Sequence, residues 1–378
     1  MTRPPLTFLE FFAGGGMARQ GLGPAWRCLF ANDFDPGKAK AYRANWGDDD
    51  FRLGDVWALK ADDLPGRADL AWASSPCQDF SLAGARAGLA GGRSSAFWGF
   101  WRLIEALDDQ GRAPRVLVLE NVGGILSSHG GADFATVCDA LSGRGYRFGA
   151  VEVDARAFTP QSRPRVFIIA ARALPSDAPI GGPGSFHTRA VRQAFDALPE
   201  ALRRCWLWWR LPAPAARNVR LADVLEPDHQ VRWRTPAQTE ALLGQLSPAH
   251  AAQWRQALNG DERMVAAVFR RIRQIDGAKT QRAELRLDGL AGCLRTPRGG
   301  SSRQLLLIGE GGRTRSRLLN AREGARLMGL PDDFRLPASE TAAMRVIGDG
   351  VAAPVVRFLG QHVLEPLLAG QEVSAAAE

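Results

Sequence analysis

LTFLEFFAGGGMARQGLG, residues 6–23, decides the fold, because an apolar run leads into three consecutive glycines and then into a helix-like segment. Glycines at a strand-to-helix turn let the backbone approach a ligand, and the start of the helix offers free N–H groups. The contiguous glycines do not have dinucleotide-binding spacing, and no Lys-Ser/Thr ending of a P-loop follows them. On its own, the stretch leaves open both a ligand pocket and an ordinary turn.

Four more short apolar runs follow, at residues 27–33, 68–74, 115–121 and 165–171, with helix-like stretches between them. This alternation is typical of an α/β protein with a doubly wound, mostly parallel sheet. Ligands bind outside the carboxyl ends of the strands in such sheets. The polar residues expected at those ends are Asn32, Asp33, Cys77, Glu120 and Asn121.

The composition of the sequence changes near residue 172, where a Gly- and Pro-rich run begins. We therefore predict a first domain over 1–175 that is completed by 345–378, a linker at 176–185, and a second, smaller domain over 186–344. The chain carries 48 Lys plus Arg against 40 Asp plus Glu, a net charge of +8. Residues 203–344 hold 24 of those cations and 14 of those acids, a net of +10. This excess indicates either a nucleic-acid-binding domain or a solvated arginine-rich surface.

Composition excludes several classes of protein. With 46% hydrophobic and 23% charged residues the chain is expected to fold, which excludes a disordered scaffold. Five widely spaced cysteines without a CxxC pair indicate neither a disulfide framework nor a metal site. No apolar run approaches the roughly 18 residues that span a bilayer. We expect a soluble cytoplasmic protein without membrane association.

Three side chains after the glycine turn indicate a pocket for an adenosine-containing ligand. Asp33 ends the second apolar run about twenty residues on, where a carboxylate can accept hydrogen bonds from a ribose. Phe34 could stack on an adenine, and Asp55 closes another strand-helix unit.

Reactive side chains are expected in the same region. Cys77 lies just beyond a predicted strand, where a lowered pKa would make its thiol a nucleophile; an inert core cysteine is the alternative. Glu120 ends the next run, as a catalytic carboxylate or a helix-starting acid. Arg163 and Arg165 are two residues apart on an extended chain, so they should point toward one anionic or carbonyl acceptor unless they are an ordinary surface pair. The Gly-rich stretch 79–97 has the composition of a lid.

Six segments in this order resemble the motifs of the bacterial DNA (cytosine-5) methyltransferases. The resemblance covers some 340 residues. The matching segments are FAGGG at 12–16, PCQ at 76–78, ENV at 120–122, QSRPR at 161–165, RLLNAREGARLMGLPDDF at 317–334 and GDGVAAPVV at 348–356. Two departures are Asp349, where the family usually has Asn, and Cys293-Leu294, where it often has Thr-Leu.

The resemblance implies a Rossmann-like fold with a target-recognition domain over 186–344, and transfer of a methyl group from S-adenosylmethionine to carbon 5 of a cytosine flipped out of double-stranded DNA. Cys77 would add to carbon 6, and Glu120 would hold ring nitrogen 3 and the amino group. Arg163 would contact the base carbonyl, with Arg165 supporting the site.

The resemblance also implies residues that bind the cofactor and the DNA, and it implies no metal. The cofactor residues are Phe12, Gly14, Gly15, Asp33, Phe34, Asp55, Pro76 and Asp349. The DNA-binding residues are Gln78, Ser81, Arg93, Arg295, Arg298 and Arg303.

Two other functions remain open at this point. One is a tRNA cytosine-5 methyltransferase of the same fold, and the other is a catalytically silent DNA-binding regulator. For the main function, the resemblance implies a monomer at the nucleoid that belongs to a restriction-modification system, with a cognate restriction endonuclease, or that acts as a solitary methylase.

Overall fold

The computed structural model describes residues 4–76, 95–260, 262–275, 277–296 and 303–369. The described chain forms two compact units. The first unit contains the residues up to Asp154, then Pro164–Pro214, and those from Val351 onward. The second contains Ala155–Arg163 and the described part of Ala215–Gly350.

Eleven strands form two sheets in the described residues. In chain order they are β1 Leu6–Phe11, β2 Trp26–Asp33, β3 Phe51–Leu53, β4 Leu70–Ala73, β5 Val116–Asn121, β6 Arg147–Asp154, β7 Pro164–Ala171, β8 Met264–Ile275, β9 Ala278–Arg286, β10 Leu305–Glu310 and β11 Arg313–Leu318. The α-helices are α1 Met17–Leu22, α2 Pro36–Trp46, α3 Ser95–Asp109, α4 Ala132–Gly143, α5 Arg189–Ala197, α6 Glu200–Arg204, α7 Pro236–Leu243, α8 Pro248–Ala257, α9 Ala321–Leu327, α10 Glu340–Asp349, α11 Ala353–Leu359 and α12 Glu365–Ala369.

The first unit is built on a seven-stranded sheet in the order β3-β2-β1-β4-β5-β7-β6. The β3, β2, β1, β4 and β5 strands pair in parallel, whereas β7 runs antiparallel to both β5 and β6. The prediction of an α/β fold with a mostly parallel sheet is therefore confirmed. The five predicted strands all form, and the structure adds β3 and β6.

Local sequence explains how the helices of this sheet begin and pack. Helix α2 begins where the Asp35 carboxylate accepts hydrogen bonds from the N–H groups of Gly37 and Lys38, with Pro36 at the first helical position. Helix α1 packs closely on α11, since a Cβ atom at Gly21 would lie 2.4 Å from Cβ of Val356.

The first unit extends well past the predicted boundary at residue 175. The Leu207 N–H donates to the Phe148 carbonyl over 2.6 Å, which attaches the Trp-rich segment, residues 205–214, to β6. Trp206 and Trp209 are buried, and Trp206 packs in the same core as Phe148. This segment, which was predicted to lie in the second domain, thus completes the core of the first unit.

The second unit is built on an antiparallel sheet in the order β11-β10-β8-β9. Residues Met264 to Val268 of β8 pair with β10, whereas the rest of β8 pairs with β9 alone. Helices α7, α8, α9 and α10 belong to this unit. Its core combines strand residues such as Val268 and Leu307 with Leu242 and Trp254 of the helices.

No helix within the described ranges is both long enough and apolar enough to cross a membrane.

Candidate active site

The glycine turn between β1 and α1 has the backbone conformation that only glycine adopts without strain. Gly14 and Gly16 have φ angles of 58° and 79°. A Cβ atom at Gly14 would meet no heavy atom within 4 Å, so open space lies against this backbone. Phe12 has a φ of 58°, an uncommon conformation for a non-glycine residue, which tends to occur at functional sites. Gly15 lies between these two glycines, and its carbonyl accepts a hydrogen bond from Nε1 of Trp46.

Asp33, at the carboxyl end of β2, holds the glycine turn in place. Its Oδ2 accepts a hydrogen bond from the Gly14 N–H over 2.9 Å, and its Oδ1 accepts one from the Asp35 N–H over 2.8 Å. Burial raises the pKa of this carboxyl group. The side chain was predicted to hold a ribose, and in the structure its two oxygens already bind backbone donors, so a carboxylate of fixed orientation faces the open turn.

Exposed apolar side chains follow β2 and β3 beside this carboxylate. Phe34 is 62% exposed, and Leu53 and Trp57 are also exposed. Leu53 pairs in register with Asp33, and Asp55 caps a short 3₁₀ helix, Val56–Ala58, by accepting from the Trp57 N–H. Large apolar side chains without cover next to a carboxylate are suited to a planar, partly polar ligand such as a nucleoside. Sequence reasoning found Phe34 but missed Leu53 and Trp57.

Glu10, the penultimate residue of β1, is a functional candidate that sequence reasoning missed. It is 1% exposed, and its Oε2 atom has no hydrogen-bond partner among the residues that the structure describes. Burial raises its pKa to about 8, although the nearby Arg19 acts in the opposite direction. A buried polar atom without a partner beside an open glycine turn fits a site that a polar ligand group completes. Its one sequence signal is an acid inside an apolar strand directly before the glycines.

The residues that fit S-adenosylmethionine in the first unit are therefore the glycine turn, Asp33, Phe34 and the buried carboxyl group of Glu10. They offer a close backbone approach, a fixed acceptor, an exposed aromatic face and a buried acidic group. Among the described residues, no cluster of three or more His, Cys, Asp or Glu side chains could hold a metal ion.

Glu120 and Arg165 form an ion pair with little solvent exposure at the carboxyl end of β5. Glu120 pairs in register with Phe167, so Arg165 is its diagonal neighbour on β7. Nε of Arg165 lies 3.1 Å from Oε1 of Glu120, and both side chains are less than 15% exposed. The pair fixes the direction of the Glu120 carboxylate.

The described residues that directly precede Cys77, 74–76, lie beside this pair. The Ser74 N–H donates to the Phe11 carbonyl, and Nδ2 of Asn121 donates to Oγ of Ser75 over 3.2 Å. These bonds join the end of β4 to the ends of β1 and β5, and the half-buried Pro76 follows. Cys77, Gln78, Ser81, Arg93 and Arg298 lie outside the described residues, as does most of the predicted lid.

The prediction that Arg163 and Arg165 point to one acceptor is wrong. Arg163 belongs to the second unit, is 2% exposed, and donates to the carbonyls of Leu294, Gly348 and Gly350 over 2.6 to 3.0 Å. Strand β7 begins only at Pro164, so the alternation rule for extended chain does not apply to Arg163.

Two of the three remaining predicted residues of the second unit, Asp349 and Arg303, have partners within it. The Thr296 hydroxyl donates to Oδ1 of Asp349. Arg303 forms an ion pair with Glu340 over 2.9 Å, whereas Arg295 is exposed. Of these three, Arg295 presents its side chain to solvent.

Comparison with known proteins places this arrangement in a family. The family model of the C-5 cytosine-specific DNA methylases matches residues 6–365. The chain is 26% identical to the Type II methyltransferase M.HpaII of Haemophilus parainfluenzae, over 97% of this chain and 91% of that protein. It is also 26% identical to the Type II methyltransferase M.BsuFI of Bacillus subtilis, over 96% and 73% respectively.

Solved structures show the same fold. The Dnmt2 methyltransferase of S. pombe superposes with a TM-score of 0.60 at 18% sequence identity. The alignment covers 96% of this chain and 99% of that protein. A DNA modification methyltransferase encoded within an E. coli prophage, described as putative, has a TM-score of 0.57 at 19% identity, over 96% and 99%. With a family model that spans nearly all of its length, this chain belongs to the C-5 cytosine-specific DNA methylases.

Proposed function

We propose that this chain methylates carbon 5 of a cytosine within a specific sequence of double-stranded DNA, with Cys77 as nucleophile and Glu120 as the carboxylate that binds the base. Membership in the DNA methylase family supports the reaction. The observation that carries the assignment of residues is the buried Glu120–Arg165 pair, next to the strand end from which the chain continues to Cys77.

The chemistry starts from an unreactive ring. The Cys77 thiolate would form a bond to carbon 6, which requires the base to leave the duplex because a stacked cytosine hides that atom. Glu120 would hydrogen-bond ring nitrogen 3 and the amino group, where charge develops during the addition. Carbon 5 then becomes nucleophilic and takes the methyl group.

The remaining steps restore the aromatic ring. Carbon 5 loses its proton to solvent, and the electron pair of that bond re-forms the double bond while Cys77 leaves as a thiolate. S-adenosylmethionine, when bound, supplies the methyl group on an electrophilic sulfonium. Arg165 would act by keeping the Glu120 carboxylate in one orientation throughout.

The proposed cofactor residues are those that the family resemblance implies, and the glycine turn and Asp33 support them. Phe12, Gly14 and Gly15 would surround the methionine end, and Asp33 would receive the ribose hydroxyls. Phe34 would cover the adenine. Asp55 would bind the adenine amino group, with Pro76 beside it. Asp349, in the last motif of the resemblance, is a further proposed cofactor residue. We add Glu10, whose orphaned oxygen suits the methionine ammonium group.

The second unit would recognise the target sequence, because it carries the positive excess of the chain. Gln78, Ser81, Arg93, Arg295, Arg298 and Arg303 are the proposed DNA contacts. We further propose that the protein acts as a monomer at the nucleoid. The Type II names of its relatives support a cognate restriction endonuclease.

A covalent trap tests this function. Duplex DNA with 5-fluorocytosine should form a stable adduct with the wild-type protein in the presence of S-adenosylmethionine, because fluorine cannot leave as a proton does. Cys77→Ser should form no adduct and transfer no methyl group, whereas Cys205→Ser, a matched change of a half-buried cysteine, should do both normally.

Bisulfite mapping of genomic DNA from an unmethylated expression host would reveal both the activity and the recognition sequence. Methylation of tRNA with none of DNA would favour the tRNA enzyme. Binding of DNA without methylation of either substrate would favour the silent regulator.

A further inference from the structure

The turn that carries Asp55, residues 54–59, is held by side chains from two other elements of the first unit. Asp55 is exposed, and its Oδ1 atom accepts a hydrogen bond from the Trp57 N–H over 3.0 Å. An exposed carboxylate binds a ligand well only when the backbone that carries it is already fixed. The contacts that fix this segment, the Asp55 turn, therefore bear on what the carboxylate can do.

Asn32, the penultimate residue of β2, holds the start of the Asp55 turn. It is 1% exposed, and its Nδ2 atom donates to the carbonyls of Arg52 and Gly54, each over 2.9 Å. The Gly54 N–H donates in turn to the Asp33 carbonyl over 3.0 Å. The residue directly before Asp55 is therefore bound to β2 through both its N–H and its carbonyl.

Arg102, on α3, holds the other end of the Asp55 turn. Its Nη2 atom donates to the carbonyls of Leu59 over 2.8 Å, of Trp57 over 3.1 Å and of Val56 over 3.5 Å. The last carbonyls of a helix need donors from outside it, and the guanidinium is such a donor where the short 3₁₀ helix ends. Its carbon lies 5.7 Å from the centroid of the Trp57 ring, which adds a cation–π contact.

Helix α3 packs directly against the Asp55 turn. A Cβ atom at Gly99 would lie 2.7 Å from Cγ1 of Val56 and 3.1 Å from Nε1 of Trp57. Residues three apart lie on the same face of a helix, so Gly99 allows a close approach and Arg102 binds from the same side. Val56 is buried, at 3% exposure. The contact with α3 thus fixes the turn through packing as well as through hydrogen bonds.

Trp57 connects Arg102 to Asp55. Its N–H donates to the Asp55 carboxylate, and its carbonyl accepts from Arg102. Without the guanidinium, the carbonyls of the turn would bind water, and the peptide that orients the carboxylate would move more freely. A carboxylate that must be ordered during binding loses part of its binding free energy to that ordering.

We propose that Asn32 and Arg102 are positioning residues, which hold the Asp55 carboxylate where it binds the amino group of the adenine. The proposal rests on the proposed function, because it takes the role of Asp55 from there. Both side chains act through the backbone of the Asp55 turn, so their loss weakens the contact with the amino group and leaves the rest of the cofactor site as it is. The sequence predicted Asn32 at a strand end without a role and did not indicate Arg102.

Selectivity for the amino group tests the proposal. Isothermal titration calorimetry on the full chain, without DNA, would compare S-adenosylhomocysteine with the analogue whose purine lacks the 6-amino group. Because a hydrogen bond to a charged group is lost with the analogue, the wild type should bind the first ligand about ten- to hundredfold more tightly. We expect Arg102→Met and Asn32→Leu each to lower this ratio by about three- to tenfold, while the affinity for the analogue stays as in the wild type.

Arg112→Met is the matched control. Arg112 donates to the carbonyls of Ala61, Leu64 and Gly66 over 2.6 to 2.9 Å, so it holds the next loop of the same unit in the same way. That loop contains no residue that the proposed function assigns to the cofactor, and the control should keep the wild-type ratio. Should one of the two positioning variants not fold, the other decides the question, since it removes bonds at the opposite end of the turn.

The possible outcomes separate this proposal from the proposed function. A wild-type ratio in both positioning variants would overturn the proposal, and so would an equal loss of affinity for both ligands, which a merely structural role would produce. A wild-type ratio in Asp55→Ala would contradict the role of Asp55 in the proposed function, and this proposal with it. A lowered ratio in both variants of a protein that transfers no methyl group would support the proposal and contradict only the proposed reaction.

Discussion

A carboxylate within a sheet strand costs free energy when it is charged, and Glu10 shows how the protein meets this cost. Its pKa is raised to about 8 from 4.5 because the strand is covered on both faces. Between these two pH values the folded protein keeps the proton that the unfolded chain releases. The free energy of unfolding therefore falls as the pH rises through this window and is constant above it.

We predict that Glu10→Gln makes the stability of the protein much less dependent on pH. At about 1.36 kcal/mol per pKa unit, the free energy of unfolding of the wild type should fall by up to ~4 kcal/mol between pH 5 and pH 8. In the variant it should fall much less. Urea unfolding at several pH values measures this. Glu200→Gln, an exposed and paired glutamate on α6, should behave as the wild type does. Equal pH slopes in wild type and Glu10→Gln would contradict the prediction.

The orientation of Glu120 depends on one guanidinium, which makes Arg165 a positioning residue. We predict that Arg165→Lys lowers kcat about ten- to hundredfold, since an ammonium group does not reproduce the Nε contact at 3.1 Å. KM for S-adenosylmethionine should stay unchanged, because Arg165 does not belong to the proposed cofactor site. Steady-state kinetics with saturating DNA provide both values.

The matched control for Arg165→Lys is Arg144→Lys, which changes the ion pairs of a half-buried arginine with Glu105, Asp108 and Asp109 in the same unit. It should leave both kinetic parameters as they are. A purely structural role of Arg165 would lower the melting temperature and the active fraction but not the turnover of the folded enzyme. An unchanged kcat would therefore remove Arg165 from the mechanism.

At the scale of single residues, the sequence predicts where a residue lies in a strand better than it predicts which groups its side chain binds. Asp33 and Glu120 were expected at the carboxyl ends of strands and are found there, because the position follows from local alternation. The partners of Arg163 are carbonyls more than 130 residues away in the chain, which no local pattern indicates. Glu10 was missed because one acid in an apolar run gives no periodic signal.

At the scale of the elements, the attachment of the Trp-rich segment to β6 depends on Gly149, because glycine has no side chain. A Cβ atom at Gly149 would lie 1.9 Å from the Leu207 carbonyl oxygen, which is backbone and cannot turn away. We predict that Gly149→Ala destabilises the first unit by about 1 to 3 kcal/mol through this overlap. Differential scanning calorimetry would show a lower melting temperature.

Gly143→Ala is the control for this change. Gly143 ends α4 in the same unit, and an added Cβ atom there meets nothing within 4 Å. Alanine should therefore be neutral or slightly stabilising, since it reduces the freedom of the unfolded chain. Equal melting temperatures for the two alanine variants would mean that the segment shifts without cost.

The elements that the sequence did not reveal have a physical reason. The outer half of β8 pairs with β9 alone and is exposed, so its residues are mostly polar and lack alternation. Strand β6 has four consecutive buried residues, Phe148 to Val151, so over most of its length it lacks the alternation of a half-buried strand. The parallel strands β1, β2, β4 and β5 were found because glycine or polar residues end each run, whereas the parallel strand β3 has only three residues.

At the scale of the whole molecule, the two units are interleaved in sequence. Residues 155–163, between β6 and β7 of the first unit, belong to the second. Gln161 accepts from the Leu294 N–H and donates to the Leu327 carbonyl, and Arg163 binds three further carbonyls. This short loop thus supplies buried polar contacts to the second unit, whose longer stretch of sequence begins at Ala215.

We predict that Arg163→Met destabilises the second unit selectively, although the residue precedes a strand of the first. The variant leaves three buried carbonyls without their donor, at about 1 to 3 kcal/mol for each unsatisfied group. Hydrogen exchange measured by mass spectrometry should quicken at least tenfold in β8, β10 and α9, and hardly in β1 to β4. Arg147→Met, on an exposed position of β6, should leave exchange in both units as it is. Uniformly faster exchange would mean that Arg163 stabilises the whole chain, whereas exchange unchanged in the second unit would mean that these bonds contribute nothing to its stability.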